Sequence, residues 1–377
     1  MLRTLGLCAL AAVVGCGRRD GEDGSKRYRS SLSERTVAET LADSLVLEQF
    51  DPSFAQAVAL SDSTFAVRGH PNDPLCVIVL PARTQRCRKI VGAGPGEVES
   101  LEHLAVWPPN KVGVWDRQSG TIGVWNDSLT LGETIDVVGP SAEGYDLYGV
   151  QTDSTLVVGR GERFMDMPLG VFPSSYLLRT FRHGKPVASA EVRVKSSWIS
   201  VVSLPDGARS GTSIRAFPEM FVHVYARKTI IVDGRECTVR IADGTPPKPL
   251  IVPNCPGPKG FRDNVLRQLE NVEGAVGKRH REMALESAIP ERFTGIVDIE
   301  ADASSGELLA RLRTDSGETS TRWVALDSTH RPATLFMVPQ HWRMVAASSH
   351  YMLFVRRDTD VEAAPSAIYW MRREARN

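Results

Sequence analysis

Near neutral pH, histidine and carboxylate side chains are the groups able to move protons or hold a divalent metal. This chain of 377 residues has only eight histidines. His103 and His223 lie inside short runs of β character, and so do Glu102, Glu219, Asp298 and Glu300. If those runs line one cavity, the six side chains could converge as general acids and bases, or as donors around an open metal position. Alternation along a strand also places polar groups on such faces with no chemistry attached, solvated or locally hydrogen-bonded. His70, His183, His280, His330 and His350 fall in turns, a helical stretch or outer positions, and His341 precedes a strand. Motifs that define a reaction are missing: there is no Gly-x-Ser-x-Gly and no His-Glu-x-x-His, and Arg279-His-Arg-Glu-Met283 only superficially resembles the latter. Gly92-Ala-Gly-Pro-Gly96 would cradle a phosphate only ahead of a helix N-terminus. Pro95 removes one donor, no Lys-Ser/Thr follows, and the next stretch reads as strand, so these glycines serve a turn. No catalytic residue, metal site or cofactor is assigned.

Six cysteines offer a second kind of chemistry. Cys76 and Cys87 flank a turn around Pro81-Ala82, and Cys237 and Cys255 flank Thr245-Pro-Pro247. No Cys-x-x-Cys or Cys/His ligand spacing exists, so zinc is not expected. An even number outside the N-terminal segment suits two hairpin disulfides, Cys76–Cys87 and Cys237–Cys255, in an oxidising compartment.

The other two cysteines, Cys8 and Cys16, belong to the N-terminus. Met1-Leu2-Arg3 carries one positive charge, and Leu5 to Val14 is an apolar run of signal-peptide length, too short to span a bilayer comfortably. Val13-Val14-Gly15-Cys16 resembles the bacterial lipobox, in which a small residue precedes a cysteine that takes a thioether-linked diacylglycerol before cleavage. That resemblance implies that residues 1–15 are a removable signal and that Cys16 is the lipid-bearing terminus. It places the protein in a bacterial cell envelope, on the extracytoplasmic side, facing the periplasm or on an outer membrane. Gly17 to Arg35 mixes Arg, Lys, Asp and Glu with Gly and Ser and has hardly any apolar residue. Such a stretch buries too little to offset its ordering entropy, so residues 16–41 read as a disordered tether. Over the whole chain, Lys plus Arg and Asp plus Glu are both 45, which leaves no basic field for nucleic acid.

The elements that would position the candidate side chains recur with a period of about 45 residues. Lys111 to Asp116, Thr121 to Trp125 and Leu131 to Val137 form one unit. Lys228 to Asp233, Cys237 to Ile241 and Pro249 to Val252 form another, and Glu307 to Leu312, Arg322 to Leu326 and Ala333 to Met337 a third. Fainter copies begin at Thr64, Thr155 and Tyr351. Each unit follows one more strand, such as Leu104 to Trp107 or Ile296 to Ile299. Six units of short strands and tight turns predict an all-β, six-bladed β-propeller over residues 42–373. Leu45 to Phe50 is expected to complete the last blade and close the ring. Phe261, Val265, Leu269, Val272 and Val276 form an amphipathic helical stripe. Residues 255–291 are therefore expected as a helical insertion between blades 4 and 5, packed over one face of a complete ring. A second stretched region runs from Arg193 to Arg215.

Val91-Gly-Ala-Gly-Pro-Gly-Glu-Val98, followed by Val114-Trp-Asp-Arg-Gln-Ser-Gly120 and Val124-Trp-Asn126, resembles the NHL-type six-bladed propeller lipoproteins. In these a Gly-x-Gly-Pro-Gly-Glu turn links one blade to the next, ahead of a strand-Asp-turn-strand unit. The resemblance is sharp over Lys89 to Asn126, and the turns of the third and fourth blades lack the motif. It implies a membrane-tethered binding or scaffold module for a protein, peptide or glycan partner, with Glu102, His103, Glu219, His223, Asp298 and Glu300 on channel-facing strands. The alternative is a metal-assisted hydrolase or lyase acting at the central channel.

Overall fold

The computed structural model describes residues 33–38, 41, 43–92, 97–137, 145–151, 155–161, 166–182, 185–187, 192–214, 219–225, 228–241, 250–252, 255, 257–302, 306–314, 318–327, 329, 331–356 and 366–373. The signal segment, Cys16 and most of the expected tether lie outside these residues, as do His183, His330 and residues 93–96 of the glycine turn.

Among the described residues the strands form six sheets. The first holds Gln56–Ala59, Thr64–Arg68, Leu75–Val79 and Thr84–Arg88, from inside to outside, and the second His103–Trp107, Lys111–Asp116, Thr121–Trp125 and Leu131–Asp136. Tyr145–Val150, Leu156–Gly161, Gly170–Arg182, Val192–Ser203 and Arg209–Ile214 make the third, with Lys185–Pro186 beside it. The fourth is Met220–Tyr225, Lys228–Asp233, Thr238–Ile241 and Leu250–Ile251. The fifth begins with Ile296–Ala301, Leu308–Leu312, Ser320–Leu326 and Pro332–Pro339, and the sixth with Trp342–Ala347, Tyr351–Arg356 and Ala367–Arg372. Innermost strands neighbour one another in a closed cycle, the sixth returning to the first. Separate apolar clusters join each sheet to the next around that cycle. The arrangement is a β-propeller.

Burial along each sheet explains the sequence pattern. Middle strands are covered on both faces, so Leu75–Val79 and Thr121–Trp125 are almost wholly buried and read as near-continuous apolar runs. The outermost strand Thr84–Arg88 is exposed throughout and reads as polar. Aspartates end the second strands and shape the turns that follow. Asp116 Oδ1 accepts from the backbone N–H of Gln118 and Ser119 (3.0 and 3.3 Å), and Asp233 Oδ1 from that of Arg235 and Glu236 (3.0 and 2.8 Å). Asp116 Oδ2 also accepts from Glu99 N (2.8 Å), tying the turn to the approach of the second inner strand.

Arginines bridge neighbouring sheets. Arg68, 3% exposed, donates to Gly69 O (3.1 Å) and to Glu102 O (2.7 Å). Arg343 of the sixth sheet donates through Nη2 to Pro52 O (2.6 Å) and Ala55 O (3.2 Å) ahead of the first. Arg373 bonds Ser348 O (2.9 Å) and pairs with Glu307 at 2.5 Å. Each guanidinium satisfies carbonyls that a tight ring leaves without ladder partners.

Closure differs in detail from the sequence expectation. The fourth strand of the sixth sheet is Ser44–Val46, antiparallel to Ala367–Arg372, rather than Leu45 to Phe50. It ends early because the chain turns at Glu48 and Gln49, the latter with φ of 54°. The expected tether also needs correction at its C-terminal end. Ser33–Thr36 pairs in parallel with Thr334 to Met337 as a fifth strand of the fifth sheet, and Val37 (1% exposed) and Leu41 (9%) enter the core between the fifth and sixth sheets. The edge of Pro332–Pro339 supplies backbone partners, and two apolar residues in a polar segment suffice to fix it there.

The insertion comprises α1 (Phe261–Glu270) and α2 (Gly274–Glu286). Phe261, Val265 and Leu269 of the predicted stripe are buried. The helices do not simply lie on a finished ring. They share a core with Val171, Trp198 and Ile214 of the third sheet, whose strands Gly170–Arg182 and Val192–Ser203 run well past their neighbours. The stretched third sheet and the helix pair thus form one projecting unit at the end of the ring where the inner strands begin.

Candidate functional site: the central channel

The inner strands enclose a cavity of about 690 Å³ to which all six contribute. Four of the six predicted residues line it: His103, His223, Asp298 and Glu300. Asp298 and Glu300 lie two apart on the fifth inner strand and so share one of its faces. His223 stands on the preceding strand, Arg343 on the following one, and His103 on the strand across the ring.

Glu102 and Glu219 do not line the cavity. Glu102 precedes its strand and is exposed, its carboxylate accepting from Ser100 Oγ (2.8 Å). Glu219, 2% exposed, accepts from Trp198 Nε1 (2.9 Å) and pairs with Arg235 Nε (2.5 Å). The Arg235 guanidinium reaches Arg292 O (2.6 Å) and lies 5.7 Å from the Trp198 ring and 5.2 Å from that of Phe261. Glu219 therefore belongs to the joint between the fourth sheet and the projecting unit. Both glutamates sit at the approach to an inner strand, where alternation does not yet say which way a side chain turns.

The electrostatics of the wall follow from its enclosure. Asp298 pairs with Arg311 (3.5 Å), whose side chain is 12% exposed against 37% for Asp298. Glu300 is open to the channel yet surrounded by protein, and desolvation first, then the neighbouring Asp298 charge, raise its pKa well above the usual carboxyl value, against Arg343 and Arg311. Across the ring, desolvation and the Arg68 charge lower the pKa of His103 to about 4. Near neutral pH the His103 imidazole is therefore neutral, and the Glu300 carboxyl keeps its proton to higher pH than an ordinary carboxyl. Arg343 is itself lowered by desolvation while Asp298 and Glu300 hold it charged.

Three further wall residues escaped the sequence reading. Gln56 opens the first inner strand, and its Oε1 is buried without a hydrogen-bond partner. Arg343 is second in its strand, and Tyr148 lies on the third inner strand. A Cβ added to Gly159 would come within 2.4 Å of Tyr148 Cε2, so the ring lies against a backbone that only glycine leaves free. At the far end the cavity meets Pro108, Pro109 and Asn110 of the turn leaving the second inner strand.

Among the described residues, no group of three or more His, Cys, Asp or Glu side chains is placed to hold a metal ion. Cys76 and Cys87 face each other in the ladder of the first sheet and are joined, Sγ to Sγ 2.09 Å. Cys237 and Cys255 are joined at 2.16 Å, with Cα atoms 5.8 Å apart. Both bridges lie away from the channel. The described part of the Val91–Val98 connection is a bridge between its ends with no helix after it, so the helix N-terminus that phosphate binding requires is not formed there. No described helix is long and apolar enough to cross a membrane.

No protein-family model matches the chain, and no curated protein matches its sequence. Among solved structures it is similar to a Bacteroides fragilis protein described as exported, at 10% identity and a TM-score of 0.46, over 91% of this chain and 100% of that one. It is similar also to a member of a Bacteroides vulgatus family of unknown function (6% identity, TM-score 0.42, 89% and 98% covered). A third is the calcium-binding protein regucalcin of Agrobacterium tumefaciens (11% identity, TM-score 0.41, 91% and 97% covered).

Proposed function

We propose that this chain is a six-bladed, NHL-like β-propeller lipoprotein, tethered through lipid on Cys16 to the extracytoplasmic side of a bacterial envelope, and that it works as a binding module for a protein, peptide or glycan. The six sheets of the ring are its blades. The observation that carries the binding role is the channel: a cavity of about 690 Å³ to which every inner strand contributes polar or apolar wall. Its size falls within the roughly 300–1,000 Å³ of small-molecule sites. Acids and histidines are spread around the wall, so among the described residues the metal-assisted hydrolase or lyase reading lacks a donor set. The tether rests on the Val13-Val14-Gly15-Cys16 motif, and the two disulfides suit an oxidising compartment.

The test uses the full-length protein in detergent, as wild type and as the double variant His103→Ala, His223→Ala. Both are screened on arrays of peptides and oligosaccharides, and for turnover of esters, lactones and peptides. Binding by the wild type, weakened in the variant, with no turnover in either, is expected. Turnover by the wild type that the variant loses would replace this reading with the enzymatic one. In parallel, Cys16→Ser should abolish labelling by a fatty-acid analogue and move the protein out of the membrane fraction; undiminished labelling would remove the anchor from the proposal.

A further inference from the structure

We propose that the channel takes a neutral, hydroxyl-rich small ligand, a mono- or disaccharide, held across Gln56, Asp298, Glu300 and Arg343. The proposal rests on the channel being a ligand site and names the class of ligand.

Charge in the wall is balanced where it is concentrated. Arg311 lies 3.5 Å from Asp298, and Arg343 adds a second guanidinium beside the Asp298–Glu300 pair. An ammonium group entering here would meet two guanidinium groups, and an anion would meet two carboxyl groups. Neither sign finds a field that favours it. A neutral ligand has no such opposition.

The hydrogen-bonding inventory points the same way. Gln56 Oε1 is a buried acceptor without a partner, and a donor from a ligand would recover what its desolvation costs. Arg343 spends only Nη2 on Pro52 O and Ala55 O, out of a guanidinium with five N–H donors. His103, kept neutral by its surroundings, can donate at one ring nitrogen and accept at the other. A hydroxyl, donor and acceptor on one atom, matches every one of these groups. An amide backbone matches fewer, because its donor and acceptor point in fixed opposite directions.

The test is calorimetric titration of the full-length protein in a detergent that is not a glycoside. The probes are maltose, cellobiose, lactose and N,N′-diacetylchitobiose, then glucosamine, glucuronate and a lysine-rich peptide. At least one neutral disaccharide should bind. Gln56→Met, which keeps side-chain volume, should weaken it roughly five- to tenfold by removing one hydrogen bond. Arg343→Lys serves as a second variant if Gln56→Met melts at a lower temperature than wild type, and should also weaken binding. Saccharide binding untouched by both variants would overturn the proposal by moving the site elsewhere. Silence from all neutral saccharides, with channel-dependent binding of a charged probe, would overturn the ligand class and leave the channel site standing. Silence from every probe would overturn the proposal, and the array screen then decides the channel reading separately.

Discussion

Replacing Glu219 removes the buried acceptor that joins the fourth sheet to the projecting unit. Its carboxylate is 3% exposed and engages both Arg235, itself 17% exposed, and Trp198 Nε1. Breaking a fully buried ion pair costs about 3–5 kcal/mol, because the surviving charge is left uncompensated. Arg235 keeps the Arg292 carbonyl and two aromatic faces and reaches some water, so Glu219→Ala should fall at the lower end, about 3 kcal/mol. Of this, about 1–2 kcal/mol belongs to the orphaned Trp198 N–H. Glu219→Gln keeps an acceptor for that N–H and should cost about 2 kcal/mol. Urea unfolding measures the total, and hydrogen exchange locates it. Amides of α1, α2 and Val192–Ser203 should lose protection first, since Trp198 and Phe261 share a core there. Both variants unfolding within about 0.5 kcal/mol of wild type, with helix protection unchanged, would refute the account of Glu219 as a joint.

The N-terminal strap should be structural: Val37→Asp buries a charge between the fifth and sixth sheets and should cost several kcal/mol, roughly 3 or more, while Glu34→Ala on the exposed strand should stay within about 0.5 kcal/mol in thermal melts. His103 and Glu300 should pull the pH dependence of stability in opposite directions. The folded His103 pKa of about 4 lies below its ordinary 6.5, so the unfolded chain binds the extra proton and stability falls as pH drops from 6.5 to 4, by about 3 kcal/mol at most; His103→Asn should flatten that limb. Glu300 is raised, so the folded chain binds the extra proton and stability falls as pH rises above the ordinary carboxyl value; Glu300→Gln should be more stable than wild type at pH 8 in urea titrations. The Cys237–Cys255 bridge closes 18 residues of sequence, and opening it with Cys→Ala changes at both positions should cost about 3 kcal/mol by loop entropy, against no change if the bridge is absent in the native protein.

What the amino-acid sequence determined by itself was local. The run Val112, Val114, Trp115, Asp116 and the turn to Thr121 carry strand, turn and return within ten residues, because alternation and an aspartate that caps its own turn need no distant partner. The stripe Phe261, Val265, Leu269 declared a helix for the same reason, and four of the channel residues were legible because they are acids or histidines on regular inner strands. Only the tertiary structure decided features whose partners lie far off in the chain. Ser33–Thr36 became a strand because Pro332–Pro339 presented an edge some 300 residues later, a pairing that no property of the segment itself announces. Glu219 turned from the channel to Trp198 and Arg235 because the third sheet projects beside it. Gln56 and Arg343 became wall residues only when six strands closed around one axis. Spacing along a strand fixes which side chains share a face, whereas which face looks into a cavity depends on contacts that exist only after the ring has closed.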